Sequence, residues 1–307
     1  MYPRRVENVG RMTTPAERYA AAKLRGQHPV TTEFLLTFDF EFDPFQITAC
    51  HAVEDGKGVL VAAPTGAGKT VVGEFAAFFA LQAGKKCFYT TPIKALSNQK
   101  YSEFVSKFGE DRVGLLTGDT SINGEADILV MTTEVLRNML YAGSNTLTNL
   151  GCVVMDEVHY LADKFRGAVW EEVLIHLMES VQVISLSATV SNAEEFGEWL
   201  GEVRGETEVI VSEIRPIPLF QHVLIGNRLM DLFDQPGKIN PEILQREREA
   251  IRRSSLGRNR RGRFSEPSDR MSRAEIIEKL QRENLLPAIT FIFSRVGCDA
   301  AVKQCLH

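Results

Sequence analysis

The sequence lacks the features of several protein classes. No apolar run approaches the ~20 residues that a helix needs to cross a bilayer, and the opening MYPRRVENVGRM has no apolar signal-peptide core. The five cysteines are odd in number and widely spaced, and the six histidines show no paired metal-binding spacing. These patterns exclude a zinc motif and a secreted disulfide framework. They predict a cytoplasmic protein with buried free thiols and no membrane partner.

Positive charge is concentrated in one segment of the chain. The 307 residues carry a net charge of −5, yet residues 245–282 hold twelve Lys/Arg and only six Asp/Glu. We therefore do not expect a basic coat for nucleic acid over the whole surface. Binding through a specific groove, or through the basic segment 246–263, remains open. A solvated, flexible linker is the alternative interpretation of that segment.

Short apolar runs alternate with segments of helical composition from Phe38 onward. They include GVLVAA, KCFYTT, DILVMTT and GCVVMDE, which are mostly continuously apolar and do not alternate between apolar and polar residues. Such strands are typical of a parallel sheet that is covered by helices on both faces. The pattern predicts an α/β domain with a mostly parallel, doubly wound sheet.

The same pattern divides the chain into four predicted regions. Residues 1–37 form a lead-in with one helix, which begins at a capping box, Thr14-Pro15-Ala16-Glu17. Residues 38–225 form the first domain, and residues 226–284 form a charged linker or insertion without strands. Residues 285–307 begin a second domain with a strand and a helix. We expect this second domain to be truncated, and the chain to be a fragment of a longer protein.

A glycine-rich turn follows the first apolar run and leads into an apolar helical segment. Its glycines permit the torsions that aim successive N–H groups at phosphate oxygens, and the following helix adds its positive N-terminus. Lys69 is predicted to reach the β- and γ-phosphates, and the Thr70 hydroxyl to coordinate Mg²⁺. The turn fits a P-loop with Ala in the first position and reads Ala63-Pro64-Thr65-Gly66-Ala67-Gly68-Lys69-Thr70.

Two acidic residues follow the apolar run GCVVM. Ligands of α/β sheets bind at the C-terminal ends of the strands, so we assign Asp156 to Mg²⁺. A carboxylate beside the cation is suited to orienting and deprotonating water, so we assign Glu157 as the general base. The alternative is a pair of acids that cap a helix.

These residues belong to a set that resembles the DExH-box helicases of superfamily two. The most specific member is Asp-Glu-Val-His at 156–159. The other motifs occur in the order of that family: FDPFQ, TPIKALSNQK, TGD and TTEVLRNML before it, and SAT after it. The stretches DEVHYLADKFRGAVWEEVLIHL and RPIPL further resemble the superkiller and exosome-associated antiviral branch, including its bacterial HelY-type members. The resemblance covers roughly residues 35–225 and 285–307.

The resemblance implies a RecA-like first domain, the start of a second RecA-like domain, and a role for each motif. Gln46 would read the adenine edge, and Phe40 would stack on the ring. The residues that would link ATP hydrolysis to strand movement are His159, Ser187 and Thr189. The residues that would contact the nucleic-acid strand are Thr91, Pro92, Lys94, Gly118, Thr132, Thr133 and Arg137. Strand ends, helix caps and solvated charges are the plainer alternatives for the strand-contacting residues, Ser187 and Thr189.

Trp170 is a further aromatic residue that base stacking would suit. It lies in a helical stretch, with Leu174 and Leu177 at helical spacing. This spacing favours packing in the core over contact with nucleic acid.

The resemblance implies an ATP-dependent RNA helicase that acts in RNA processing or decay. Its cofactors would be ATP and Mg²⁺, its partners single-stranded RNA and a nuclease, and its state a monomer. The family completes the ATP site with arginines of the second domain, so we expect this chain to bind ATP but to hydrolyse it poorly. The alternatives are a DNA helicase or translocase and a nucleotide-gated binding module. A small-molecule kinase fits less well, because the Asp-Glu-His cluster has no use there.

Overall fold

The structure is a computed structural model that describes residues 26–163, 167–188, 192–235, 237–256 and 271–306. The predicted capping box at Thr14, the site residue Thr189 and the basic stretch at 257–263 lie outside these residues. The chain divides into two compact units, residues 1–217 and 218–307. Among the described residues, no helix combines the length and the apolar character that a bilayer span requires.

An eight-stranded sheet forms the centre of the first unit. Its strands lie in the order β4-β3-β5-β2-β6-β7-β1-β8, and every neighbouring pair is parallel except β3 and β4. This confirms the predicted α/β class with a mostly parallel sheet. The strands are β1 (Gly58–Ala62), β2 (Lys86–Thr91), β3 (Val113–Leu116), β4 (Ser121–Ile122), β5 (Ile128–Thr132), β6 (Leu150–Met155), β7 (Gln182–Ser187) and β8 (Thr207–Val211).

Helices cover both faces of this sheet. They are α1 (Pro29–Leu35), α2 (Pro44–Glu54), α3 (Thr70–Gln82), α4 (Lys94–Phe108), α5 (Thr133–Ala142), α6 (Gly167–His176) and α7 (Ala193–Arg204), with short 3-10 helices at Asn145–Leu147 and Val158–Ala162. Successive strand residues point to opposite faces, so Val59 and Val61 join one apolar cluster while Leu60 joins the other. Trp170 is buried in the second cluster, which confirms the prediction of core packing.

The second unit contains short strands that the sequence did not predict. Strands β9 (His222–Ile225) and β10 (Arg228–Asp231) pair antiparallel, as do β11 (Phe233–Gln235) and β12 (Lys238–Ile239). The prediction that residues 226–284 contain no strand is therefore wrong. Strands of two to four residues are too short to show a hydrophobic period. Gly226, at φ 58°, supplies the left-handed backbone that the tight turn between β9 and β10 requires.

Helices form most of the remaining part of the second unit. They are α8 (Pro241–Leu256), α9 (Arg273–Arg282) and α10 (Arg295–Cys305), and α9 contacts α10. The predicted strand before α10 is not formed among the described residues. Its Phe293 is fully exposed, without a neighbouring strand to cover it. Helix α10 is also exposed, so the prediction of buried thiols is wrong for Cys298 and Cys305, whereas the other three cysteines are buried.

Candidate active site

Most of the predicted site residues lie along one edge of the sheet. The phosphate loop, residues 63–70, follows β1, and Asp156 follows β6. Thr91, Thr132 and Ser187 are the last residues of β2, β5 and β7. These five strands are parallel neighbours in the order β5-β2-β6-β7-β1, so their C-terminal ends meet at the same edge. This is the edge at which α/β sheets bind ligands.

The phosphate loop depends on two glycines with left-handed backbone. Gly66 has φ 85° and Gly68 has φ 81°, a region that other residues rarely occupy. A Cβ atom built at Gly68 would also lie only 2.6 Å from the Gln46 side-chain nitrogen. Helix α3 begins directly after the loop at Thr70. Its free N–H groups and the positive end of its dipole therefore point toward this edge.

The Lys69 side chain is folded back onto the loop. Its ammonium donates to the carbonyl oxygens of Ala63, at 2.7 Å, and Pro64, at 3.1 Å. Burial lowers the pKa of Lys69, while the carboxylates of Glu157 and Asp156 act in the opposite direction. The ammonium and the two carboxylates therefore share one electrostatic site. An anion that entered it would find a desolvated, positively charged donor.

Asp156 is held by strand β2 and by its own neighbour in sequence. Its backbone N–H donates to the Thr90 carbonyl at 3.0 Å, and the Tyr89 hydroxyl donates to Oδ2 at 2.6 Å. The other carboxylate oxygen, Oδ1, accepts the Glu157 N–H at 2.9 Å. Burial first, and then the Asp156 carboxylate, raise the pKa of Tyr89 well above its usual value. The phenol therefore stays protonated and remains the donor.

Glu157 has an unusual backbone and a perturbed carboxyl group. Its φ of 55° and ψ of 41° lie in the left-handed region, which is costly for a residue with a Cβ and is found most often at functional sites. Burial, followed by the charge of Asp156, raises the pKa of Glu157. Its Oε2 atom lies 3.4 Å from His159 Nδ1, without a hydrogen bond among the described residues. The side chain makes no capping bond to the following 3-10 helix, so helix capping does not explain it.

Gln46 and Phe40 occupy different environments near the loop. The Gln46 amide is buried; its nitrogen donates to the Gly68 carbonyl at 3.0 Å, and its oxygen accepts the Asp43 N–H at 2.9 Å. Phe40 is 54% exposed, and its ring centroid lies 5.0 Å from that of Phe42. Phe40 is therefore accessible to solvent, whereas both ends of the Gln46 amide already have protein partners. Their predicted contacts with adenine remain predictions.

The predicted strand-contacting residues fall into two groups. Thr91, Pro92, Thr132 and Thr133 are buried. The Thr91 hydroxyl donates to the Ile93 carbonyl at 3.1 Å and lies 2.8 Å from the Ser97 hydroxyl, and the Thr133 hydroxyl donates to the Thr91 carbonyl at 3.3 Å. Gly118 and Lys94 are exposed, and Arg137 is half-buried. The Lys94 ammonium lies 2.6 Å from both carboxylate oxygens of Asp119. The second group therefore presents the accessible polar groups.

Two residues of the site carried no predicted role. Tyr89 contacts Asp156, and the Lys100 ammonium donates to the Thr70 hydroxyl at 3.1 Å and to Glu103 at 2.7 Å. Tyr89 lies in β2 and Lys100 lies in α4, on either side of residues 91–94, which are predicted to contact nucleic acid. Lys100 even lies within the quoted TPIKALSNQK motif, so that motif was the available signal. Nothing in the sequence pointed to the Tyr89 hydroxyl.

Comparisons with known proteins match this architecture. A family profile described as DEAD/DEAH box helicase matches residues 43–196. The probable helicase HelY of Mycobacterium tuberculosis H37Rv is 58% identical over 289 residues, which cover 89% of this chain and 32% of HelY. The DExH-box ATP-dependent RNA helicase DExH15 of Arabidopsis thaliana chloroplasts is 41% identical over 316 residues, covering 88% of this chain and 26% of that protein. The chain thus spans about a third or less of these relatives.

A solved structure resembles the fold. The DUF1998 helicase MrfA, crystallised with DNA, superposes with a TM-score of 0.50 at 21% sequence identity. The match covers 60% of this chain and 29% of the MrfA chain. At this identity the likeness concerns the fold alone. The predicted RecA-like helicase fold and the predicted resemblance to HelY-type helicases are both confirmed.

Proposed function

Because this chain belongs to the DEAD/DEAH box helicase family, we propose that it is the ATP-binding domain of an ATP-dependent RNA helicase. The observation that carries the proposal is the arrangement of Lys69 with the two carboxylates. Lys69 is buried in the loop that follows β1, Asp156 and Glu157 follow β6, and both strands end at the same edge of the sheet. The two carboxylates act against the burial that lowers the pKa of Lys69. This is the charge pattern that binding and hydrolysis of a nucleoside triphosphate require.

The triphosphate would bind to the phosphate loop. The N–H groups of residues 65–70 and the start of α3 would hold the phosphate oxygens, and Lys69 would exchange its two carbonyl partners for the β- and γ-phosphates. Charge-assisted bonds to phosphate are stronger than bonds to neutral carbonyls, which favours this exchange. Phe40 would stack on the adenine ring. Gln46 would meet the adenine edge only after giving up one of its present partners.

The residues present fit a magnesium ion. Mg²⁺ prefers oxygen ligands and usually takes only one or two carboxylates from the protein, and Thr70 and Asp156 supply a hydroxyl and a carboxylate. Each Asp156 oxygen accepts one hydrogen bond from a neighbouring group, so each retains a lone pair. When bound, Mg²⁺ neutralises charge on the phosphates. Asp156 and Thr70 would hold the ion in a fixed position.

Glu157 would orient and deprotonate the attacking water. Its Oε2 atom is buried and, among the described residues, has no hydrogen-bond partner, so a water molecule would satisfy it. Its raised pKa makes the carboxylate a stronger base than an ordinary glutamate. His159 lies next to this oxygen and, with Ser187 and Thr189, would link the site to strand movement.

We infer that the polymer is single-stranded RNA. The support is the 41% identity to a protein named as an RNA helicase, together with the exposed Lys94 and Gly118 and the half-buried Arg137. Such groups contact phosphates and sugars and do not read sequence. For the whole protein, a role in RNA decay with a nuclease, a monomeric state and a cytoplasmic location stay predictions.

A binding experiment separates the candidate functions. A fluorescent ATP analogue is titrated into the 307-residue chain with and without Mg²⁺, and then with single-stranded RNA or DNA of the same sequence. We expect binding that depends on Mg²⁺ and is strengthened more by RNA than by DNA. A stronger effect of DNA would support the translocase alternative. If neither polymer changes the binding, the nucleotide-gated module is the better description.

A further inference from the structure

We propose that Tyr89 is a positioning residue for the Asp156 carboxylate, and that its hydroxyl sets the Mg²⁺ affinity of the site. This inference rests on the proposed function, in which Asp156 binds Mg²⁺. It assigns a role to a side chain that touches neither the nucleotide nor the metal, because Tyr89 is fully buried beneath the edge of the sheet.

The hydroxyl completes the fixation of the carboxylate. Tyr89 Oη donates to Oδ2 at 2.6 Å, and the Glu157 N–H donates to Oδ1 at 2.9 Å. With one bond on each oxygen, rotation of the carboxylate plane breaks at least one of them. Without the phenol, only the Glu157 bond would resist that rotation. A ligand that is already oriented loses less freedom when the ion binds.

The position of the hydroxyl is itself determined by the core. The Tyr89 ring makes an edge contact with Phe104, with centroids 5.1 Å apart. Gly73 of helix α3 leaves the space that the ring occupies, since a Cβ there would lie 2.7 Å from Tyr89 Cε2. The phenol is thus held by α3 and α4, and it cannot follow the carboxylate if Asp156 turns. It acts as a rigid reference point for the metal ligand.

Strand β2 also connects Tyr89 to Thr91 and Thr133, two residues that are predicted to contact nucleic acid. The Thr90 carbonyl accepts the Asp156 N–H at 3.0 Å, and the Thr91 carbonyl accepts the Thr133 hydroxyl at 3.3 Å. Tyr89 and Thr90 therefore bind Asp156, the predicted metal ligand. The next residue, Thr91, binds Thr133, which belongs to a second motif that is predicted to contact nucleic acid. A shift of this strand end would be transmitted to Asp156.

The test compares two tyrosine-to-phenylalanine substitutions. Tyr89→Phe keeps the buried ring and removes only the hydroxyl. Tyr101→Phe makes the same chemical change at a half-buried position of α4 and serves as the matched control. The readouts are the Mg²⁺ concentration that half-saturates binding of a fluorescent ATP analogue, the affinity for that analogue in EDTA, and the midpoint of thermal unfolding.

We expect Tyr89→Phe to raise the half-saturating Mg²⁺ concentration about tenfold, which is typical for loss of a partner of a metal ligand. The affinity in EDTA should stay unchanged, and Tyr101→Phe should leave both values unchanged. A half-saturating concentration that is unaltered or lower in Tyr89→Phe, whatever the change in thermal midpoint, overturns the inference and leaves the proposed function intact. Nucleotide binding that is independent of Mg²⁺ in the unsubstituted chain overturns both.

Discussion

The side-chain nitrogen of Gln46 lies 3.0 Å from the carbonyl oxygen of Gly68. This bond joins helix α2 to the phosphate loop at the residue that precedes the catalytic lysine candidate. The Gln46 oxygen accepts the Asp43 N–H at the start of the same helix, so the amide cannot turn without losing a bond. Helix α2 and the phosphate loop are therefore joined directly by the Gln46 side chain.

The first prediction concerns the space between these two residues. Gly68→Ala places a Cβ 2.6 Å from the Gln46 nitrogen at a φ of 81°, so it adds a clash to backbone strain. Gly56→Ala is the matched control, because its φ is 80° and nothing lies within 4 Å of the added Cβ. We expect the control to lower the free energy of unfolding by about 1–2 kcal/mol with nucleotide affinity unchanged. Gly68→Ala should also lose nucleotide affinity.

Chemical denaturation and ATP-analogue titration measure the two effects separately. Equal stability loss in both variants, with nucleotide affinity retained in Gly68→Ala, would show that Gln46 moves aside without consequence. The proposed coupling between α2 and the loop would then be absent.

The second prediction concerns the charge of Lys69. Lys69→Met removes charge-assisted bonds to phosphate, each of which contributes about 1.5–3 kcal/mol, so ATP affinity should fall about 10- to 100-fold. Burial lowers the pKa of Lys69 in the free protein. The ammonium is the binding form, and it is lost as the pH rises through this pKa. Affinity should therefore decline at a lower pH than for an ordinary lysine.

Titrations of the ATP analogue across alkaline pH test this dependence. Lys69→Met provides the baseline, since it retains every other titratable group, and the exposed Lys85→Met controls for the loss of one surface charge. Parallel pH curves for the unsubstituted chain and Lys69→Met would contradict the assignment of Lys69 to the phosphates.

The third prediction concerns the base. Glu157→Gln should keep nucleotide affinity and slow single-turnover hydrolysis by about 10²- to 10⁴-fold, the usual contribution of a general base. Burial and Asp156 raise the pKa of Glu157, and the deprotonated form is the active one. Hydrolysis should therefore fall, as the pH decreases, at a higher pH than for an exposed glutamate.

Rapid-quench measurements with chain in excess over ATP follow this single turnover without requiring efficient cycling. The acid-side decline should be missing from the residual rate of Glu157→Gln. If that variant hydrolyses ATP at the unsubstituted rate, another group activates the water.

The sequence predicted the sheet and its functional edge because both depend on local signals. Continuous apolar runs indicate strands that are buried on both faces, and polar residues at their ends indicate the ligand edge. The contact between Tyr89 and Asp156 had no such signal, because it depends on β2 lying beside β6, which the chain order does not reveal. The bond from Gln46 to Gly68 likewise joins residues far apart in the sequence. The bond between Gln46 and the Asp43 N–H belongs to a capping box, a local signal that the sequence analysis missed. The strand expected after Pro287 failed differently, since a strand forms only where another pairs with it.

The last prediction concerns nucleic acid and a pair of opposite charges. Lys94 holds the pKa of Asp119 below its usual range, so the Asp119 carboxylate is charged at neutral pH and competes with RNA phosphate for the Lys94 ammonium. Lys94→Ala should weaken binding of single-stranded RNA and reduce the slope of log affinity against log salt by about 0.7, the value for one phosphate contact. Asp119→Asn should strengthen binding, because it frees the ammonium and removes a repulsive charge. Fluorescence anisotropy of a labelled oligoribonucleotide from 50 to ~200 mM salt measures both, with Lys85→Ala as the control. An unchanged slope in Lys94→Ala, or weaker binding by Asp119→Asn, would place the RNA elsewhere.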